Sequence, residues 1–271
     1  AGLNFPESAV YLPEREGFLN VASFDLIPWI LSTCSDVSEA KEKLRRTNVL
    51  NTNFSENLPA TPLHWIFADK TGSFVAEPRK TGLEIYENPV DVLTNEPPFD
   101  YHLYNLNHYL NLSADPATDR SGMKLTAISN GMGGIGLPGD FSSASRFVKA
   151  AFVKCNSICG SSEEESVSQF FHILSSVAMP RGSIRMGRNQ YEITRYSCCC
   201  NTDRGIYYYT TYENPQISAV DMTLENLDGN RVVCYPVIER PQILIQNGQK
   251  GVPYCPFTAG SFVWYNVHSI R

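Results

Sequence analysis

Strands and helices fall into separate runs along this chain, and that segregation predicts an α+β fold built on antiparallel sheet. Three stretches carry the expectation. Residues 63–79 (LHWIFADKTGSFVAEPR) read as a β-hairpin that turns at 70–72. Residues 141–157, and then the run opened by Ser162, read as consecutive helices. Residues 191–222 are strand-rich again and hold YYYTTY, a run of strong β propensity.

The remaining elements follow in order. Residues 24–33 are apolar and tolerate Pro28 because it lies near a helix start. Asp36 opens a polar helix, VSEAKEKLRRT, with acidic residues early and basic residues late, as the helix dipole prefers. Residues 82–86 and 90–94 are expected as short strands. Residues 99–110 place Leu103, Leu106 and Leu110 at helical spacing. The polar stretch 112–129 reads as a long connection, a kind of loop that is usually functional, intersubunit or mobile. Ser162 and Glu165 form a capping-box signature. Val167, Phe170, Phe171, Leu174 and Val177 then make one apolar stripe, and Gly160 between the helices implies an antiparallel pair. Residues 191–200 and 206–212 flank the turn NTDRG, and 217–222 add a third strand. The pattern degrades after Glu239. We therefore expect one domain over 1–239 and a divergent or unstructured tail over 240–271.

Composition narrows the function. With 42% hydrophobic and 18% charged residues, a chain of 271 residues can bury an ordinary globular core. A net charge of −6 argues against a nucleic-acid partner, which requires a basic face. No stretch approaches the ~18 apolar residues of a membrane span. The start, AGLNFPESAV, has neither the basic nor the apolar region of a signal peptide. The eight cysteines lack a disulfide-scaffold pattern. Cys198, Cys199 and Cys200 alternate across a strand and cannot all bind one ion. Cys155 and Cys159 lack a second Cys/His pair. We expect buried thiols of a reducing, cytoplasmic compartment, no metal and no cofactor.

Several motifs bear on chemistry. Residues 131–136, GMGGIG, match the dinucleotide pattern G-x-G-x-x-G, but no second strand with an acidic residue follows about 20 residues on. A backbone that passes close to another group, such as an active-site cleft, suits these glycines better. Arg146 lies in the first turn of the following helix, where the dipole repels a cation. An anionic ligand or a neighbouring carboxylate would explain it; so would an arginine that simply reaches solvent. Asn95 stands beside Glu96-Pro97-Pro98, where an amide can either donate to a developing oxyanion or cap the turn. Asn4 has the same two readings. The five histidines make no metal-ligand pair, His172 reads as a packed or surface residue, and no G-x-S-x-G elbow is present.

Taken together, LNFP (3–6), LHWIFAD (63–69), VLTNEPPFDY (92–101), MGGIGLPGDFSSASRFVKAAF (132–152), EEESVSQFFHIL (163–174) and GIYYYTTYENPQISAVDM (205–222) closely resemble bile salt hydrolases. These are choloylglycine hydrolases, the penicillin V acylase-like branch of the N-terminal-nucleophile hydrolases. The resemblance covers roughly residues 1–239 in order. It implies an αββα sandwich, two antiparallel sheets between helical layers. It implies hydrolysis of the amide that joins a bile acid to glycine or taurine, by an N-terminal cysteine whose own amine transfers protons. Carried over by motif, Asn4 is a donor to the oxyanion, Asn95 positions the nucleophile's amine, and Arg146 is the active-site arginine.

The resemblance also implies a homotetramer, to which residues 112–129 contribute. Phe54, Leu58 and Leu63 are expected in the wall of the substrate pocket. The family's cysteine-bearing start and the arginine and aspartate that follow it have no counterpart from Ala1 onward. We therefore expect the sandwich to be incomplete at the N-terminus and the chain alone to be inactive. Penicillin V or acyl-homoserine lactone acylase is the alternative within the family, disfavoured by Asn4 where penicillin acylases resemble a tyrosine variant. A non-catalytic binding or assembly fragment is the alternative outside it.

Overall fold

A computed structural model of the protein describes residues 1–4, 7–241 and 243–245. The core is a four-stranded antiparallel sheet in the order β1 (Gly2–Leu3), β4 (Leu63–Asp69), β5 (Gly72–Arg79), β6 (Gly82–Glu87). The hairpin expected at 63–79 is β4–β5, in register Trp65↔Ala76 and Phe67↔Phe74. Its turn is held by Asp69, whose Oδ1 accepts from the backbone N–H of Thr71 at 2.7 Å and from its hydroxyl at 2.6 Å, an Asx turn.

Strand β5 is buried from Ser73 to Pro78, so both of its faces are covered. Phe74 and Ala76 point to one side, where they meet Leu26 and Ile30 of α1 (Leu26–Thr33) and Ala40 and Leu44 of α2 (Val37–Leu44). Val75 points to the other, onto Phe99 of α3 (Phe99–Asn105) and Phe147 and Ala151 of α4 (Ser143–Asn156). Period-two alternation thus divides one strand between two apolar clusters. Trp65, Phe74, Phe99 and Phe147 are fully buried or nearly so, and burial of such a side chain stabilises by about 1.5–3 kcal/mol.

Helix starts follow the capping chemistry of the sequence. Asp36 caps α2 by accepting from the Glu39 N–H at 2.9 Å. Ser162 and Glu165 form both halves of the capping box that opens α5 (Glu163–Ser175). Of the predicted stripe, Phe171 is buried whereas Phe170 is 43% exposed. Helix α3 continues as a 3₁₀ turn over Leu106–Tyr109.

The second sheet has three antiparallel strands in the order β11 (Ser218–Asp221), β10 (Ile206–Thr211), β9 (Tyr196–Asn201). Glu163 ties it to α5 by accepting from Asn201 Nδ2 at 2.6 Å and from the Tyr208 hydroxyl at 2.8 Å.

Four details depart from the sequence reading. A parallel pair joins β2 (Leu19–Ala22) to β3 (Thr47–Leu50), with α1 and α2 as its crossover. Residues 90–94 form no strand: Asp91 adopts φ 52°, held by Ser73 Oγ at 2.7 Å and Lys154 Nζ at 2.6 Å, and the Val92 carbonyl accepts from the Asn88 side chain instead of a neighbouring strand. The strand expected at 191–200 is broken at 193–195, and its first part pairs in a hairpin of β7 (Ile184–Gly187) with β8 (Gln190–Glu192). None of the described cysteines is fully buried: Cys34, Cys198 and Cys199 are half-buried, and Cys155, Cys159, Cys200 and Cys234 are exposed, because each of these four falls on a helix end, a loop or the outer face of a strand. Among the described residues no helix is long and apolar enough to cross a membrane. The tail beyond Ile245 lies outside the described residues.

Candidate active site

The amide of Asn95 stands at the centre of a cluster drawn from four parts of the chain. Its Nδ2 donates to the Leu3 carbonyl of β1. Its Oδ1 accepts from Arg146 Nη2 at 2.7 Å. Its own backbone carbonyl accepts from His102 Nε2, on α3, at 2.9 Å. Asn4 follows Leu3 directly. Its backbone N–H donates to the Pro62 carbonyl at 2.9 Å, whereas its side-chain Oδ1 is buried without a hydrogen-bond partner among the described residues. Of the three polar residues singled out in the sequence, Arg146 and Asn95 are thus joined directly, and Asn4 lies one residue along the chain from the Leu3 carbonyl that Asn95 holds.

The placement of Arg146 in the first turn of α4 is now accounted for. Its Nε donates to the Phe141 carbonyl at 3.1 Å and its Nη2 to Asn95, so two arms of the planar guanidinium are fixed by neutral acceptors. It is half-buried, and burial pulls its pKa below the ordinary guanidinium value, opposed by Glu192. The cation faces inward towards the cluster rather than out to bulk water. The unfavourable dipole is offset locally by Asp140, just before the helix, whose pKa falls to about 2 through hydrogen bonds from Ser142 and Ser145.

Strand β1, which carries Leu3 and leads into Asn4, is itself positioned from below. Gly2 pairs with His64 of β4, and a Cβ on Gly2 would lie 2.5 Å from His64 Nε2. The buried imidazole thus needs a glycine above it. Its Nδ1 pairs with Glu77 Oε1 at 3.1 Å, and Glu77 Oε2 accepts from the Phe99 N–H at 3.2 Å, at the start of α3. His64, Glu77 and His102 are all buried, and none was visible as a functional residue in the sequence. The available signal was charge in context: Glu77 occupies an otherwise apolar strand, where a carboxylate must find partners.

The expected pocket wall is split. Phe54 and Leu58 sit in a tight turn, 65% and 57% exposed, and Phe54 packs edge-on against Phe24 at 5.2 Å. Leu63 instead pairs with Leu3 across β1–β4 and packs on the core cluster of α1 and α2. The glycine loop 131–136 makes a close approach, but to another loop: a Cβ on Gly133 would lie 2.2 Å from the Asp115 carbonyl oxygen. Clefts of about 550 Å³ between α5 and β9–β10, and of about 620 Å³ along the tyrosine-rich face of β9–β11, are lined by neither Asn95 nor Arg146. Among the described residues no group of three or more His, Cys, Asp or Glu is gathered as metal ligands.

Comparison with known proteins identifies the family of the chain. Residues 1–235 match the linear amide C–N hydrolases of the choloylglycine hydrolase family. The chain belongs to that family. It is 49% identical to a bile salt hydrolase/transferase of Lactiplantibacillus plantarum, over 91% of this chain and 77% of that protein. It is 44% identical to a bile salt hydrolase/transferase of Clostridium perfringens, over 87% of this chain and 73% of that one. Its fold matches a crystal structure of a variant conjugated bile acid hydrolase from C. perfringens with a TM-score of 0.82 and 42% identity, over 91% of this chain and 76% of that chain. A penicillin V acylase from Agrobacterium tumefaciens shares the fold at a TM-score of 0.60 and 19% identity, over 82% of this chain and 62% of that chain. The α+β class expected from the sequence, that of the N-terminal-nucleophile hydrolases, is the class these neighbours share. As a choloylglycine hydrolase the protein is an amide hydrolase.

Proposed function

We propose that this choloylglycine hydrolase cleaves the amide bond between a bile acid and glycine or taurine, with an N-terminal cysteine as nucleophile. The observation that carries the proposal is the junction of Leu3, Asn95 and Arg146, one residue from Asn4, whose side-chain oxygen is buried without a partner among the described residues. A cysteine thiolate attacks the amide carbonyl. The sulfur–carbon bond forms while the carbonyl π pair moves onto oxygen. Asn4 turns its amide N–H to that oxygen, a preorganised donor where charge develops. Asn95, itself held by Arg146, positions the cysteine's α-amine, which takes the thiol proton as the thiolate forms and delivers it to the leaving nitrogen. Collapse of the intermediate breaks the C–N bond and releases the amino acid. Water then hydrolyses the thioester to free bile acid and cysteine.

The test is the release of taurine and glycine from taurocholate and glycocholate, with the first residue of each preparation read by mass spectrometry. A form whose first residue is cysteine releases the amino acids, and alkylation of that cysteine abolishes release. A form that starts at Ala1 releases none. Release by the Ala1 form, or preferential cleavage of penicillin V by the cysteine form, overturns the proposal. We further propose that the loop 112–129 contributes to a tetramer in the cytoplasm, since Met123, Leu125 and Ile128 are 67%, 62% and 90% exposed along it. A monomeric mass in sedimentation equilibrium removes that assignment.

A further inference from the structure

We infer that His102 is the positioning residue of Asn95: its ring, clamped by α4, fixes the backbone carbonyl of Asn95 so that the side-chain amide bridges Leu3 and Arg146. The inference rests on the site proposed above only for its effect on turnover; the geometry stands by itself. His102 Nε2 donates to the Asn95 carbonyl at 2.9 Å. The imidazole is fully buried and lies against Phe147, with ring centroids 4.7 Å apart and planes inclined by 15°. Phe147 is the residue after Arg146. Adjacent residues of one helix therefore hold both ends of Asn95, Arg146 through the side-chain oxygen and Phe147 through the ring that grips the carbonyl. The loop is pinned to the same helix once more at Thr94, whose hydroxyl donates to the Ser143 carbonyl at 3.1 Å.

This arrangement requires one tautomer. A proton on Nε2 makes the observed bond, and Nδ1 is buried without a partner. Protonation of Nδ1 would bury an unpaired donor and a charge. The titratable and charged groups around the ring are Glu77 on β5, His64 on β4 and Glu96 in the preceding loop, with Arg146 of α4 on the far side of Asn95. Burial outweighs the two carboxylates and keeps the His102 pKa below its usual value, so the ring stays neutral.

Three variants of the full chain test the assignment: His102→Phe, which keeps the stack on Phe147 and removes the donor; His102→Gln, which returns a donor; and Asn95→Ala as reference. Nuclear magnetic resonance of the Asn95 side-chain amide is the primary readout, because a purely structural role would not move it. We expect its resonances to shift, and its hydrogen exchange to rise at least about tenfold, in His102→Phe, with His102→Gln close to wild type. In the enzyme form, kcat for taurine release falls on the order of 10- to 100-fold in His102→Phe with KM unchanged. An Asn95 amide unaltered in a folded His102→Phe protein overturns the inference. If Asn95→Ala leaves taurine release intact, the proposed site fails, whereas the amide measurement still decides whether His102 positions Asn95.

Discussion

Arg146 and Asn95, 51 residues apart in sequence, share a 2.7 Å hydrogen bond, and because Asn95 also donates to the Leu3 carbonyl the pair links the start of α4 to β1. The guanidinium gives its second bond to Phe141, so its position is set before any substrate arrives. A lysine in its place would keep the charge but lose the planar fork. We expect Arg146→Lys to lower kcat of the enzyme form by about 10- to 100-fold. Arg146→Ala should also cost about 1–3 kcal/mol, since Asn95 Oδ1 loses its donor. Steady-state kinetics and urea unfolding measure the two effects; an Arg146→Lys enzyme with wild-type kcat would show that point charge is enough.

A substitution at Asn4 tests the proposed oxyanion donor separately from substrate binding. The Asn4 side chain makes no structural hydrogen bond through Oδ1 among the described residues, so its removal should disturb the fold little. Asn4→Ala is expected to reduce kcat by about 10²- to 10³-fold with little change in KM. A change confined to KM would place Asn4 on the substrate rather than on the oxyanion.

The exposed turn that carries Phe54 and Leu58 is expected to contact the steroid. Replacing both by serine should raise KM for bile salts several-fold and leave kcat near wild type, because about 25 cal/mol per Å² of apolar contact is lost. The pairing of Phe54 with Phe24 makes Phe24 part of the same surface. An unchanged KM would remove this wall from the site.

Gly2 and His64 are coupled through a steric contact. In Gly2→Ala the new methyl meets the buried imidazole at 2.5 Å, and we expect about 1–3 kcal/mol of destabilisation. His64→Ala is destabilising too, because it leaves the buried Glu77 Oε1 without its partner while Oε2 keeps the Phe99 N–H. The double variant should be more stable than the sum of the single effects, and a double-mutant cycle in urea reads the difference. Strict additivity would show that β1 shifts freely over His64.

Acid should loosen the start of α4 through Asp140. Its carboxylate has a folded pKa of about 2 against 3.8 for the free side chain. The folded value is depressed, so the stabilisation is fully present above about pH 4 and is lost as pH falls through about 2. Stability measured at successive pH values should fall across that window, and Asp140→Asn should reduce the slope. An equal slope in both proteins would assign the acid sensitivity elsewhere.

Local chemistry made much of the fold legible. The hairpin turn at 70–72, the cap at Asp36 and the capping box at Ser162 each need only residues within three positions, so the sequence shows them directly. The motif resemblance likewise pointed to Asn4, Asn95 and Arg146. Residues 90–94 were misread because extended propensity was overridden by Ser73 and Lys154 gripping Asp91. The role of His102 was invisible because it depends on which ring Phe147 presents to it.

The sequence by itself determined most of the elements, the helix caps and the family, because period, capping and motif are encoded in neighbouring residues, but not the parallel β2–β3 pair or the loop at 90–94. Only the tertiary structure decided that Arg146 faces Asn95, that Leu63 belongs to the core and that a His64–Glu77 pair supports β1. Those relations join residues that lie far apart along the chain. Their energies come from burial, and burial exists only once the sheet and helices have closed over them.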